Sequence, residues 1–196
     1  MKKVKMGLLL ILATMLLSGC GAKWEPQSTS ILVDKKGVIT HYMIEDFNQP
    51  YYSMDELKGQ IESASSAYNQ GVGREEATKL NQVTVDDNNM IKVELQYENY
   101  QDYFDFNEKF LFVGTVSDGY SKGYEYPAMT GVSKDDSLAG NAQVIEKGDM
   151  KIVILEEAMQ VRLPGKIAYI SDGVKAIDEK TAVNLNEGQK AYIIYE

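Results

Sequence analysis

Between residues 53 and 70 the apolar side chains recur at intervals of three and four, at Met54, Leu57, Ile61, Ala64 and Tyr68. That spacing gathers them on one face of a helix and leaves Asp55, Lys58, Glu62 and Ser65 outside it. Ser53-Met54-Asp55-Glu56 reads as a capping box, and Gly71 and Gly73 supply the stop, so a helix is expected over about 53–70. Tyr51-Tyr52 just before it is expected to pack back onto the helix as a staple. Elsewhere the period shortens to two. Ile31-Leu32-Val33 and Val38 to Ile44 flank Asp34-Lys35-Lys36-Gly37, and Thr78 to Val85 and Met90 to Tyr97 flank Asp86-Asp87-Asn88-Asn89. Both read as β-hairpins. Asn99 caps a short aromatic helix over about 99–109, with Tyr100, Tyr103 and Phe104 as its expected buried face, and Leu111-Phe112-Val113 is a strand.

From Met150 onward the texture is that of strands. Ile152 and Ile154, Val161 and Leu163, Ile167 and Tyr169, Val183 and Leu185, and Tyr192 and Ile194 are each spaced by two. Turn signals at Pro164-Gly165, Asp172-Gly173, Asp178-Glu179-Lys180 and Asn186-Glu187-Gly188 separate them, which predicts an antiparallel meander. The class is α+β with a mainly antiparallel sheet, and the pattern leaves open one sheet or two. Residues 130–148 show no period. That is long for a loop in a compact domain, so either a functional excursion, a subdivision or an unrecognised element lies there.

The first 19 residues have another texture. Lys2, Lys3 and Lys5 precede an apolar run from Met6 to Leu17. The run is too short for the ~20 residues of a membrane-spanning helix, and it has the layout of a secretory signal. Leu17-Ser18-Gly19-Cys20 resembles the lipobox of bacterial lipoproteins at all four positions. The resemblance implies that Cys20, the only cysteine, receives a diacylglyceryl group and that residues 1–19 are removed. Two or three acyl chains on one residue anchor far more firmly than one. The expected organisation is a cleaved signal peptide (1–19), a lipidated Cys20 and polar tether (20–30), and a single α+β domain (31–196). Ten extended tether residues reach at most about 35 Å. The body resembles small, mostly uncharacterised lipoproteins of Gram-positive, clostridial type. That likeness rests on Ile44-Glu45-Asp46-Phe47 running to Tyr51-Tyr52-Ser53-Met54-Asp55-Glu56-Leu57, and on Leu163-Pro164-Gly165-Lys166-Ile167. It brings no catalytic residue with it.

Composition narrows the chemistry. The formal net charge is −9 over 196 residues, and removing residues 1–19 takes three lysines and no acid, making the body more acidic still. Such a surface has no basic face for nucleic acid and is repelled by anionic headgroups. A single cysteine cannot form an internal disulfide or a cysteine zinc cluster. His41 is the only histidine. Without a Gly-x-Ser-x-Gly elbow or a spare thiol it lacks a nucleophile to activate, so a packed or surface histidine is expected. Asp86-Asp87-Asn88-Asn89 and Asp135-Asp136 cluster oxygen ligands but lack the alternating calcium-loop spacing. Asp and Asn favour tight turns through their own backbone bonds. No metal and no cofactor are expected.

The tyrosines carry the remaining signal. Of the 13, Tyr120, Tyr124 and Tyr126 sit among glycines and are expected on one exposed, ligand-binding patch, where rings offer apolar area at low entropic cost. The chain therefore reads as a membrane-anchored extracytoplasmic lipoprotein that binds an envelope protein, peptide or glycan. The alternatives are a passive accessory lipoprotein and a cell-wall hydrolase that uses paired carboxylates, one of them with a raised pKa.

Overall fold

Turn chemistry sets both N-terminal hairpins. The computed structural model describes residues 24–133 and 136–196, so the signal, the lipobox and Cys20 lie outside the described residues. Strands β1 (Ser30–Val33) and β2 (Ile39–Asp46) meet at a turn where Asp34 Oδ1 accepts from the N–H groups of Lys36 and Val38, at 2.7 and 2.9 Å. Helix α1 (Met54–Val72) follows, and then strands β3 (Thr78–Val85) and β4 (Met90–Tyr97). Their turn is closed by Asp86 Oδ1, which accepts from Asn88 and Met90 N–H at 2.9 and 2.8 Å, with Asn89 left-handed at φ 57°. The acids of this sequence cluster thus serve the backbone turn.

The chain continues through α2 (Tyr100–Asn107), β5 (Leu111–Thr115), α3 (Val116–Ser121), β6 (Met129–Gly131), β7 (Ser137–Leu138) and α4 (Asn141–Ile145). It ends with β8 (Lys151–Leu155), β9 (Gln160–Arg162), β10 (Ile167–Ser171), β11 (Val174–Ala176), β12 (Thr181–Asn184) and β13 (Ala191–Tyr195). The fold is α+β, with strands in two mostly antiparallel sheets. The first sheet runs β11-β12-β9-β1-β2-β4-β3 and the second β5-β8-β13-β10-β6-β7. Among the described residues the one parallel pairing is β1 with β9.

The strands expected after Met150 all form, but they are dealt between the sheets rather than joined as a sequential meander. β8, β13 and β10 lie in the second sheet, and β9, β11 and β12 in the first. A spacing of two reports which face a side chain takes and says nothing about which strand lies alongside.

The two sheets share a core. Ile31, Ile39, Val93, Leu95 and Val161 of the first pack with Leu111, Val153, Leu155, Ile193 and Tyr195 of the second. The second sheet is apolar on its far face as well, through Phe112, Ile152, Ile154, Tyr192 and Ile194. Residues 116–150 cover that face with Val116, Tyr126, Met129, Leu138 and Val144. The aperiodic stretch 130–148 is therefore a cover made of pieces too short to show a period: β6, β7 and α4.

Residues 24–30 differ from the expected tether. Pro26 is buried, Trp24 meets the Tyr42 ring edge-on at 5.7 Å, and Thr29 Oγ1 bonds both the N–H and the C=O of Ile44, at 3.1 and 3.3 Å. The segment lies along the face of the first sheet that carries Tyr42.

His41 points to the opposite face, into the shared core, where it is 6% exposed and neither ring nitrogen has a partner. Its ring stands edge-on to Tyr103 at 5.4 Å, and the Tyr103 hydroxyl donates to Glu157 at 2.5 Å. Burial lowers the imidazole pKa to about 4. Between an unfolded value of about 6.5 and this folded value only the unfolded chain binds the proton, so stability falls as pH falls through that window. The loss is about 3 kcal/mol. Urea unfolding of wild type and His41→Leu from pH 7 to pH 4 should show this extra loss in wild type alone, and parallel curves would refute it.

Candidate functional site

Helix α1 begins and ends as its sequence dictates. Ser53 Oγ accepts from the Glu56 N–H at 3.3 Å, and Gly73 at φ 67° closes the last turn onto Asn69 and Gln70. Gly71 stays inside the helix. The expected face is turned toward the first sheet, yet it is thinly covered. Leu57, Ile61 and Tyr68 are half-buried, Met54 and Ala64 are exposed, and Ser65 is the only buried residue of the helix. The second sheet and α1 lie on the same face of the first sheet, and along α1 a strip is only partly covered, with Met43, Leu57 and Ile61 half-buried above the buried Ile91, Val93 and Leu95.

That strip is a groove of about 740 Å³, within the usual range for ligand sites. Met43 of β2 and Ile91, Val93 and Leu95 of β4 form its floor, Leu57, Ile61 and Ala64 one wall, and Phe106 of α2 an end. At the mouth three rings climb into solvent. Phe47 packs on Tyr52 at 5.0 Å and Tyr52 on Tyr51 at 5.1 Å, with Tyr51 75% exposed. This corrects the staple expected of Tyr51-Tyr52, since their rings pack on each other and on Phe47 and stay open to water. Glu45, Asp46 and Glu56 are the charged residues of the lining, and all three are exposed carboxylates.

The far end of α1 is held by a polar clamp. Asp102, 1% exposed, accepts from the Tyr68 hydroxyl at 2.9 Å, from Asn99 Nδ2 at 2.7 Å and from both terminal nitrogens of Arg74. Arg74 also pairs with the exposed Glu98. Hydrogen bonds to Asp102 and Glu98 push the guanidinium above its usual range. Burial, then the bond to Asp102, pushes the Tyr68 phenol up to about 12. Asp102 is a position that sequence reasoning missed, because a carboxylate in a short helix reads as solvated. The Asn99 cap three residues earlier was the available signal.

The three tyrosines expected on one exposed patch differ in exposure and do not form one. Tyr120 is exposed, while Tyr124 is half-buried against Phe110 and Phe112. Tyr126 is buried and donates to the Val116 carbonyl at 2.5 Å. Gly119 makes room for it, since a Cβ there would overlap the Tyr126 hydroxyl. Gly119, which reads as the mark of an exposed loop, instead permits close packing. The aromatic helix differs in the same way: Tyr103 is buried, Tyr100 half-buried and Phe104 exposed.

Among the described residues, burial raises the pKa of one carboxyl, Glu157. It is turned to Tyr103 and takes no part in the groove lining. Among these residues no three His, Cys, Asp or Glu side chains converge as a metal-ligand set. The groove presents apolar surface, exposed rings and negative charge, which suits binding. No family model, curated protein or solved structure matches the chain.

Replacing Asp102 by Ala removes charge-assisted bonds that join the α1 end to α2, and should lower unfolding free energy by about 2 kcal/mol. Glu98→Ala, at the exposed end of the same clamp, should cost no more than about 0.5 kcal/mol. Equal costs in denaturant titrations would show that the buried carboxylate does not hold the clamp.

Proposed function

We propose that the protein is a membrane-anchored, extracytoplasmic lipoprotein. Its body is a binding module for an envelope protein, peptide or glycan, and the groove beneath α1 is the site. The observation that carries the reading is the groove itself: a lipophilic channel left open on an acidic body, with Tyr51 and Tyr52 standing exposed at its mouth. Rings held in water at a groove mouth lose hydrophobic stabilisation unless something covers them. Attachment rests on the basic start, the short apolar run and Leu17-Ser18-Gly19-Cys20. Among the described residues no helix is long and apolar enough to cross a membrane.

The packing of residues 24–30 supports a definite orientation. With Trp24 fixed on Tyr42, only Gly21, Ala22 and Lys23 separate Cys20 from the body. Four residue steps span at most about 14 Å. The Tyr42 face of the first sheet then faces the bilayer at close range. The groove opens on the opposite face, because Met43 and Val93 alternate with Tyr42 and Lys92 along their strands.

Three measurements test this reading. Cys20→Ser should remove the mass of the acyl groups from the mature chain and shift it from the membrane to the soluble fraction. An unchanged mass and distribution would remove the anchor from the account. Trp24 is the only tryptophan, so its fluorescence reports on this region alone. In vesicles, a headgroup-attached nitroxide should quench it strongly and a nitroxide deep in the acyl chain weakly, whereas no quenching by either would contradict the orientation. For the site, Ile61→Arg should abolish capture of envelope components from native membranes, and Tyr120→Ala should leave it unchanged. The reverse pattern would move the site to the Tyr120 face.

A further inference from the structure

We infer that the ligand of the groove is a peptide segment with an apolar centre flanked by lysine or arginine, presented by another envelope protein. The inference rests on the binding reading above and adds the chemistry of the partner. The open apolar surface is that of the half-buried Met43, Leu57, Ile61 and Phe106, lying over the buried Ile91, Val93 and Leu95. A sugar would find few groups there to replace the water bound to its hydroxyls, since Ser53, Gln60 and Asn107 are the uncharged polar side chains of the lining apart from the two tyrosines.

The charges narrow the class further. Glu45, Asp46 and Glu56 border the apolar floor, and among the described residues no lysine, arginine or histidine lines the groove with them. A fatty acid or phospholipid would bring its anionic head toward these carboxylates. A second copy of this chain, with a net charge of −9, would bring a like-charged surface. A cationic flank meets opposite charge at the rim, and the exposed faces of Tyr51 and Tyr52 add an attraction for ammonium or guanidinium groups. The acidity of the whole chain also speeds encounter with a basic partner at low salt. Apolar centre and basic flank together match what the groove offers along its length.

The test uses the mature protein in phosphatidylcholine nanodiscs and three fluorescent peptides sharing one Leu/Phe-rich centre, flanked by Lys, by Gln or by Glu. By fluorescence anisotropy the Lys-flanked probe should bind about tenfold tighter than the Gln-flanked one, given three exposed carboxylates of modest individual weight. The Glu-flanked probe should bind weakest, and the differences should shrink as salt rises. The combined rim variant Glu45→Gln, Asp46→Asn, Glu56→Gln should erase the Lys preference and leave the Gln-flanked affinity unchanged. These are exposed positions, so the fold is retained, as circular dichroism should confirm. Ile61→Arg should abolish binding of all three probes.

Equal affinity for the three probes, lost in Ile61→Arg, would overturn the cationic ligand while leaving the groove as the site. Tighter binding of dodecanoate or of an oligosaccharide than of any peptide would overturn the peptide class. Failure of every probe, together with envelope capture that Ile61→Arg does not disturb, would overturn the inference and the binding reading together.

Discussion

A six-stranded sheet that is apolar on both faces must be covered twice, and most of this architecture follows from that requirement. β13 is buried at all five positions and β8 at four of five. Neither face of these strands tolerates water, because each fully buried Val, Ile or Phe contributes about 1.5–3 kcal/mol relative to exposure. One face is met by the first sheet. The other is met by residues 116–150, whose short pieces make sense only as a cover. Strand order obeys the same need, placing β13 beside β8 and β10, inside the sheet, though it comes last in the chain.

The same allocation explains the groove. The second sheet covers part of the first, and residues 116–150 are committed to the far side. Only α1 and α2 remain to shield the β2-β4-β3 end. A single helix with one buried residue covers that end loosely, so Met43, Leu57 and Ile61 stay half-buried along a groove whose β4 floor is buried. Holding so lightly packed a helix in place falls to its ends: the Ser53 cap at one, and the clamp of Tyr68, Arg74, Asn99 and Asp102 at the other. A buried, multiply bonded carboxylate offsets its desolvation only when its donors are well placed, which fixes the α1 end relative to α2. The candidate site is thus a loosely covered groove with fixed borders.

Local order was legible in the sequence, and longer-range order was not. The Ser53 cap, the Asp34 and Asp86 turns, the Asn99 cap and the spacing of two after Met150 each encode a local conformation, and each formed. Sheet membership was hidden because β9 and β10, adjacent in the chain, join different sheets. Exposure was hidden for a related reason. Tyr126 looked loose among glycines, yet Gly119 lets it pack tightly. Tyr51 and Tyr52 looked like staples, yet their rings stop at one another and at Phe47. Trp24 and Pro26 read as tether because a polar decapeptide with a proline gives no hint that the Tyr42 face awaits it. Of the groove, its helix wall was visible as an amphipathic face. That the face would stay half-covered depends on where the second sheet ends, which no window of sequence contains.

The central claim is that the groove beside α1 is occupied in the working protein, and methyl NMR tests it most directly. Leu57 and Ile61 on the helix and Ile91 and Leu95 on the floor provide separate reporters of one channel. Titration with a lysine-flanked apolar peptide is expected to shift these four methyl sets together. Ile152 and Ile154, on the far side of the second sheet, should stay unmoved. Shifts confined to the Tyr120 face, or no shifts at saturating peptide, would contradict the account.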